Sequence, residues 1–139
     1  PVKGSELTKA QISQGADVVF AAAGGTGVGV LQTAADEGIL SIGVDSNQNY
    51  MHPGKVLTSM LKRVDVAAYE TFMDAKNGTF SSGLTVLGVA EGGVDWALDD
   101  NNASLVTDKI KTAVEAARSD ILSGKVVVHN YESDSSCPY

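Results

Sequence analysis

Residues 15–62 read GADVVFAAAGGTGVGVLQTAADEGILSIGVDSNQNYMHPGKVLTSMLK, and this stretch decides the fold. It holds three apolar runs, 17–23, 39–44 and 56–61, which are strand-length and rich in β-branched residues. A segment of helical length, 26–37, separates the first two runs and follows a glycine turn. Strand, glycine turn, helix and strand together form a right-handed βαβ unit. The stretch therefore predicts an α/β fold with a doubly wound parallel sheet.

The rest of the chain continues the alternation of helical and strand-like segments. The predicted helices are 5–14, one that starts at Arg63 or Val64 and ends at 75, and 103–122. The predicted strands are 84–89, 94–98 and 125–129. We expect the helix 63–75 to bury the face that carries Phe72, and the polar turn 99–102 to cap the last helix. Residues 130–139 are interpreted as a frayed tail. Since no internal repeat or linker is visible, the sequence predicts a single α/β domain over residues 1–139.

Composition and charge exclude several classes of partner. The 139 residues carry 10 Lys and Arg against 17 Asp and Glu, a net charge of −7, which argues against a nucleic-acid partner. No apolar run approaches the roughly 18 residues that indicate a membrane span. The single cysteine, Cys137, cannot form an internal disulfide, and His52 and His129 lack partners at metal-binding spacing. We therefore expect neither a metal nor a cofactor.

Small and charged residues follow the three strands of residues 15–62, at the edge of the sheet where such folds bind ligands. These residues are Ala22, Ala23, Gly24, Gly25, Asp45 and Lys62. The two oxygens of Asp45 suit the adjacent hydroxyls of a ribose, and Lys62 suits a purine acceptor, a hydroxyl or Asp45 itself. We interpret them as part of a binding site for a ribose-bearing small molecule. The alternatives are a glycine turn without a ligand, an Asx turn at Asp45 and a solvated Lys62.

The glycine turn resembles a dinucleotide-binding fingerprint, because Asp45 lies about twenty residues beyond it near the end of the next strand. The fingerprint is incomplete, since Val30 stands where a third glycine or alanine is expected. The sequence also contains no phosphate-binding Gly-Lys-Ser/Thr motif and no assembled set of nucleophile, base and orienting residue. A nucleotide-dependent oxidoreductase domain and a non-binding α/β interaction module therefore stand as alternatives to a ligand-binding lobe.

Four motifs occur in order along the chain and together resemble one family. They are GADVVFAAAGGTGVGVLQTAADEG, IGVDSNQ, PGKVLTSMLKRVDVAAYE and LGVAEGGVDWAL. The match extends from about residue 15 to 128 and is similar to the basic membrane protein family. These proteins are substrate-binding lipoproteins of ABC transporters, and their characterised type is a purine nucleoside receptor.

The resemblance implies a type I periplasmic-binding-protein fold, in which two lobes close on a nucleoside without catalysis. This chain would be most of the C-terminal lobe, without its first strand and without the N-terminal lobe. Asp45 would bind ribose hydroxyls, Lys62 would make polar contacts, and Ala22 and Gly24 would line the pocket. The full-length protein would be extracytoplasmic, lipid-anchored and partnered with the transporter permease. A lone lobe that exposes its cleft face is also a candidate for self-association.

Overall fold

The computed structural model describes residues 1–136, in which helices and strands alternate as the sequence predicts. The α-helices are α1 (Val2–Ser13), α2 (Gly27–Asp36), α3 (Val64–Asn77), α4 (Asp108–Leu122) and α5 (Tyr131–Asp134). The strands are β1 (Val18–Phe20), β2 (Leu40–Gly43), β3 (Val56–Lys62) and β4 (Val94–Trp96). Two short 3₁₀ helices, Gly24–Thr26 and Asn49–Met51, lie in the segments that follow β1 and β2.

The four strands form one sheet in the order β1-β2-β3-β4. β1 pairs with β2 in parallel from Val18–Leu40 to Phe20–Ile42, and β2 pairs with β3 in parallel. β4 is antiparallel to β3, with Met60 opposite Trp96. The prediction of an α/β fold with parallel strands is thus confirmed for the stretch that decides the fold, and an antiparallel strand completes the sheet.

The core lies between the first βαβ unit and β3. Leu31 of α2 and Val56 of β3 are fully buried against Ala21, and Val30 and Met51 pack on this cluster. Burying a side chain such as Leu31 contributes about 1.5–3 kcal/mol relative to leaving it in water. The core therefore ties α2 to the three parallel strands whose ends carry the predicted site.

Two helices pack closely because one of them presents a glycine. The Oγ of Ser5 in α1 donates a hydrogen bond of 3.1 Å to the carbonyl oxygen of Gly29 in α2. A Cβ added at Gly29 would collide with the backbone of Pro1. The small residue at this position lets α1 approach the backbone of α2. α1, the helix predicted before β1, therefore packs directly against the βαβ unit.

Two predicted strands are wrong, and both fail for want of a partner. Residues 84–89 form no strand, and Leu84 is 92% exposed. β4 pairs with the edge of β3 that a strand directly after α3 would use, and residues 84–89 pair with no strand of this sheet. Residues 125–129 also form no strand, and Val127 is 82% exposed. An apolar, β-branched run becomes a strand only where a neighbour takes its backbone hydrogen bonds.

The predicted helices differ from the observed ones in their bounds and in their burial, and α1 already begins at Val2 rather than at residue 5. The helix expected from residue 103 begins only at Asp108, because residues 101–105 form turns. α3 has the predicted bounds at its start, but none of its residues is buried and Phe72 is 76% exposed. The expected frayed tail contains the single turn α5, and Cys137 lies outside the described residues.

The chain divides into two compact units, the first ending at Thr107 and the second beginning at Asp108. The sheet, its core and the predicted site all belong to the first unit. In the second, α4 carries exposed ion pairs one turn apart, Lys111 with Asp108 at 3.5 Å and Arg118 with Glu115 at 3.7 Å. Within residues 1–136, no helix has the length and apolarity that crossing a bilayer needs.

Candidate ligand-binding site

Asp45 and Lys62 meet at the carboxyl ends of β2 and β3. Because the two strands are parallel neighbours, their ends share one edge of the sheet, and the Lys62 N–H donates to the carbonyl oxygen of Asp45 at 2.8 Å. The Nζ of Lys62 lies 3.1 Å from Oδ1 of Asp45, with the side chains 60% and 50% exposed. An exposed ion pair contributes at most about 1 kcal/mol, so either partner can turn to a ligand at small cost.

The backbone at Asp45 adopts a conformation that a residue with a side chain rarely takes. Its φ is 69°, and the N–H of Ser46 donates to the carbonyl oxygen of Val44 at 2.9 Å, which closes a three-residue turn around it. Such a conformation costs roughly 1–3 kcal/mol and persists only where the surroundings impose it. Within residues 1–136 the carboxylate pairs with Lys62, so the Asx turn proposed as an alternative is not formed.

An open depression of about 450 Å³ surrounds this ion pair. Two cations and two anions line it, and they are matched, Lys62 with Asp45 and Arg63 with Asp65. Arg63 Nη2 and Nε donate to Asp65 at 2.8 and 3.0 Å, which lowers the pKa of the Asp65 carboxyl and raises that of the guanidinium. A depression with balanced charge suits a neutral ligand that carries hydroxyls better than a phosphorylated one.

The other two predicted site residues lie at the end of β1 and do not line this depression. Ala22 and Gly24 are exposed, and Gly24 has a φ of 50°. The N–H of Ala21 donates to the carbonyl oxygen of Ile42 at 3.1 Å, so the end of β1 adjoins the end of β2 on the same side of the sheet. The structure thus brings Asp45 and Lys62 into contact and places Ala22 and Gly24 on the neighbouring strand end.

The glycine turn leads into α2 through the 3₁₀ helix Gly24–Thr26. Gly25 is exposed, and the space beside its backbone is open, since an added Cβ would meet nothing within 4 Å. Thr26 directly precedes α2, and its side chain makes no capping hydrogen bond. The N-terminal N–H groups of α2 are therefore not satisfied by this side chain.

Gln48 supports the segment on both sides of Asp45, a role that the sequence analysis missed. Its Oε1 accepts a hydrogen bond of 2.9 Å from the N–H of Val44, and its own N–H donates to Ser59 Oγ at 2.9 Å. A Cβ at Gly43 would lie 2.8 Å from that Oε1 and 2.7 Å from Ser59 Oγ. Glycine is required at position 43 because Gln48 and Ser59 occupy the space beside it.

Asn49 is fully buried, with its side chain hydrogen-bonded at both ends. Its Oδ1 accepts from Ser59 Oγ at 2.9 Å, and its Nδ2 donates to Asp99 Oδ2 at 3.2 Å. Its N–H donates to Asn47 Oδ1 at 2.9 Å, which makes the local Asx turn at Asn47. The loop after β2 is thus fastened to β3 and to the turn after β4.

Asp99 joins these two loops through its carboxylate. Oδ2 accepts hydrogen bonds from Asn47 Nδ2 at 2.6 Å and from Asn49 Nδ2, and Oδ1 accepts from the N–H of Asn101 at 2.7 Å. The hydrogen bond from Asn47 lowers the pKa of Asp99, and those from Asn101 and Asn49 act in the same direction against a partial loss of solvation. The carboxylate is therefore held in its ionised form.

The turn 99–102 does not cap a helix, contrary to the prediction, and instead ties β4 to β3. Asn102 is fully buried, and its Oδ1 accepts from the N–H of Asp99 at 2.8 Å. Its Nδ2 donates to the carbonyl oxygens of Leu57 at 2.8 Å and Ala97 at 3.0 Å. The signal in the sequence was the pair of amide-rich runs SNQN and DDNN, whose contacts become visible only in three dimensions.

A larger cavity of the first unit, about 800 Å³, lies elsewhere. It separates α3 from the segment 80–91, with Glu70, Asp74 and Phe80 among the residues that line it. None of the predicted site residues contributes to it. The larger cavity is therefore not the one at the strand ends, where a ligand is expected. The smaller depression is the one that contains the Asp45–Lys62 pair.

Comparison with known proteins identifies the family. The family described as ABC transporter substrate-binding protein PnrA-like matches residues 1–130, and the chain belongs to this family. The resemblance to basic membrane proteins is thereby confirmed.

Individual relatives agree with this assignment. The chain is 34% identical over 145 residues to the ABC transporter nucleoside-binding protein BmpA of Lactococcus lactis subsp. cremoris, covering 91% of this chain and 40% of that protein. It is 34% identical over 118 residues to basic membrane protein D of Borreliella burgdorferi, covering 82% and 34%. The chain thus spans less than half the length of these relatives.

A solved structure supports the fold. The chain matches an ABC transporter solute-binding protein from Aeropyrum pernix K1 with a TM-score of 0.75 and 26% identity. The match covers 95% of this chain and 46% of that one. The α/β lobe of a periplasmic-binding-protein-like fold is thereby confirmed.

Proposed function

We propose that this chain is most of one lobe of the solute-binding component of an ABC transporter, and that it closes with a second lobe on a purine nucleoside. Membership of the PnrA-like substrate-binding family supports the transport role. A relative in Lactococcus lactis named as nucleoside-binding supports the ligand class. The role is binding and delivery to a permease, without catalysis, and the full-length protein would be extracytoplasmic and lipid-anchored.

The observation that carries the proposal is the exposed Asp45–Lys62 pair at the carboxyl ends of two parallel strands. The two hydroxyls of a ribose are adjacent donors, and one carboxylate can accept from both. Each hydrogen bond to a charged group contributes about 1.5–3 kcal/mol. Lys62 would then donate to an acceptor of the ligand, and the matched charges of the depression favour a nucleoside over a nucleotide.

Ala22 and Gly24 would let the ligand approach the backbone at the end of β1, because neither places a bulky side chain there. They would line the pocket on the side opposite to Lys62, with β2 and Asp45 between them. The second lobe would supply the residues that stack on the base. A two-lobed closure would bring all four residues around one ligand.

Isothermal titration of the two-lobed protein tests the proposal. We expect adenosine, guanosine or inosine to bind, and NAD to give no heat of binding. Asp45→Asn should weaken nucleoside binding roughly 10- to 150-fold, the equivalent of one charge-assisted hydrogen bond. Asp74→Asn, which alters a carboxylate of the larger cavity beside α3, is the matched control and should leave the affinity unchanged.

Two results would overturn the proposal. Binding of NAD without any nucleoside would favour the oxidoreductase alternative that the glycine turn suggests. Loss of affinity in Asp74→Asn, with none in Asp45→Asn, would move the site to the cavity beside α3.

A further inference from the structure

One carboxylate connects the loop after β2 with the turn after β4. The two segments are 52 residues apart in sequence at the Asn47–Asp99 hydrogen bond, which at 2.6 Å is shorter than an ordinary bond between neutral groups. Asp99 also receives the buried amide of Asn49. A single side chain therefore orders both amides of a loop that begins directly after Asp45.

The hydrogen bonds continue from Asp99 to both sides of Asp45. On its C-terminal side, Asn47 is held by Asp99. On its N-terminal side, the N–H of Val44 is held by Gln48, which lies between the two asparagines that Asp99 anchors. Hydrogen bonds thus hold the backbone on both sides of Asp45, and they connect it, directly or through Gln48, to the carboxylate of Asp99.

These restraints bear on the unusual backbone of Asp45. A φ of 69° at a non-glycine residue relaxes unless its surroundings are fixed. Side-chain hydrogen bonds fix Val44 and Asn47 on either side of Asp45, and one backbone bond from β3, donated by the N–H of Lys62, holds the carbonyl group of Asp45. The ladder between β2 and β3 ends at Gly43 and Ser59. The position of the Asp45 carboxylate, which lies beyond the ladder, therefore depends on the loop as well as on the single bond from Lys62.

The anchor must be an ionised carboxylate. Its Oδ2 accepts from two amide groups and its Oδ1 from a backbone N–H, so every partner is a donor. An asparagine in its place would turn one oxygen into an amide donor facing either another amide or a backbone N–H. Asp99→Asn is therefore nearly isosteric and still breaks the connection.

We propose that Asp99 is a positioning residue for ligand binding: by anchoring Asn47 and Asn49, it holds Asp45 in the turn from which its carboxylate reaches the ribose diol. The proposal rests on the proposed function, because its second readout is nucleoside affinity. Asp99 acts through Asn47 and Asn49 and does not line the depression around Asp45 and Lys62.

Hydrogen exchange of the unliganded protein tests the positioning by itself. In Asp99→Asn we expect the amide hydrogens of Val44, Ser46 and Gln48 to exchange at least tenfold faster, with no change at Leu31 in the core helix. Asp100→Asn, an exposed carboxylate at the next position, is the matched control and should change none of them. Unchanged exchange at the three amides in Asp99→Asn would overturn the positioning role, whatever the ligand.

Titration with two ligands separates positioning from general loosening. Asp99→Asn should weaken binding of adenosine about tenfold, equivalent to about 1.4 kcal/mol. It should leave binding of 2′,3′-dideoxyadenosine within twofold of the unmodified protein, because that ligand lacks the diol. An equal loss for both ligands would mean a merely structural role and would overturn the proposal.

The outcomes distinguish the two levels of inference. Faster exchange around Asp45 without nucleoside binding by any variant would keep the anchor and refute the proposed function, and with it the role in ligand binding. If Asp99→Asn does not fold, Asn47→Ala tests the anchor by hydrogen exchange alone, because Asn47 lines the depression around Asp45 and Lys62. The substitution removes the 2.6 Å hydrogen bond to Asp99 and the Asx turn to the N–H of Asn49, and leaves Asp99 bonded to Asn49 and Asn101. Unchanged exchange at Val44, Ser46 and Gln48 would again overturn the positioning role.

Discussion

Two parts of the first unit differ in whether their side chains are buried and hydrogen-bonded or exposed. Residues 43–62 with 97–102 bury polar side chains, including Asn49, Ser59 and Asn102, and satisfy them with hydrogen bonds. Residues 64–91 carry an amphipathic helix and an apolar run, yet α3 buries none of its residues. The first part, which we call the site region, is therefore held by specific hydrogen bonds between its buried side chains. The second part has the apolar pattern of a buried segment, but within the described residues nothing buries the apolar face of α3.

The largest expected difference between the two parts concerns apolar side chains. Leu31→Ala should reduce the free energy of unfolding by about 2–5 kcal/mol, because the fully buried side chain leaves a cavity between α2 and β3. Phe72→Ala on α3 should cost less than about 0.5 kcal/mol. Urea denaturation measures both, and a comparable loss for Phe72→Ala would show that α3 is covered in solution.

The polar core of the site region is the next test. Asn102→Ala should cost about 2–3 kcal/mol, since it removes the hydrogen bonds to the carbonyl oxygens of Leu57 and Ala97 and the one from the N–H of Asp99. Asn77→Ala, at the exposed end of α3, is the control and should stay within about 0.5 kcal/mol. Thermal unfolding of the two variants should differ by several degrees; equal melting temperatures would contradict the role given to Asn102.

Acid should weaken the site region through Asp99. Its pKa in the folded protein lies below its ordinary value of 3.8, so the unfolded chain binds more protons between the two values. The contribution is complete above the ordinary pKa and is lost as the pH falls through the folded one. Asp99→Asn should cost about 1–2 kcal/mol at pH 7 from lost hydrogen bonds, and this cost should shrink as unfolding is measured from pH 5 towards pH 3. A cost independent of pH would mean that the carboxylate is not the anchor.

The smallest effect should come from the strained turn itself. Asp45→Gly should leave stability unchanged or raise it by up to about 1 kcal/mol, because glycine accepts a φ of 69°. Ser46→Gly, the adjacent position without a positive φ, should lose about 0.5–1 kcal/mol. Differential scanning calorimetry separates the pair, and a clear loss in Asp45→Gly would show that the aspartate stabilises the turn.

The sequence could predict the part of the fold that depends on local pattern and on general rules for sheets. Three apolar runs and one helical segment were enough to predict three parallel strands. Because parallel strands end at the same edge, they also brought Asp45 and Lys62 together, at the observed 3.1 Å. Both steps use only the order of segments along the chain.

What could not be predicted depends on partners distant in sequence. No local pattern indicates that Asp99 receives the amide of Asn47, and the run DDNN was interpreted as a helix cap because caps are built from the same residues. The run 84–89 has the composition of a strand, but composition cannot tell that β4 takes the available edge. The sequence pattern of a segment indicates which secondary structure it can form, and its contacts with other segments determine whether it forms.

The contact between Lys62 and Asp45 has a consequence for the binding and release of the proposed ligand. A ligand hydroxyl that takes the place of the ammonium replaces an exposed ion pair worth at most about 1 kcal/mol, so binding at Asp45 exchanges one partner for another. When the proposed ligand leaves, the ammonium of Lys62 can return to the carboxylate. Without a ligand the Asp45–Lys62 pair therefore adds no net charge to this edge of the sheet.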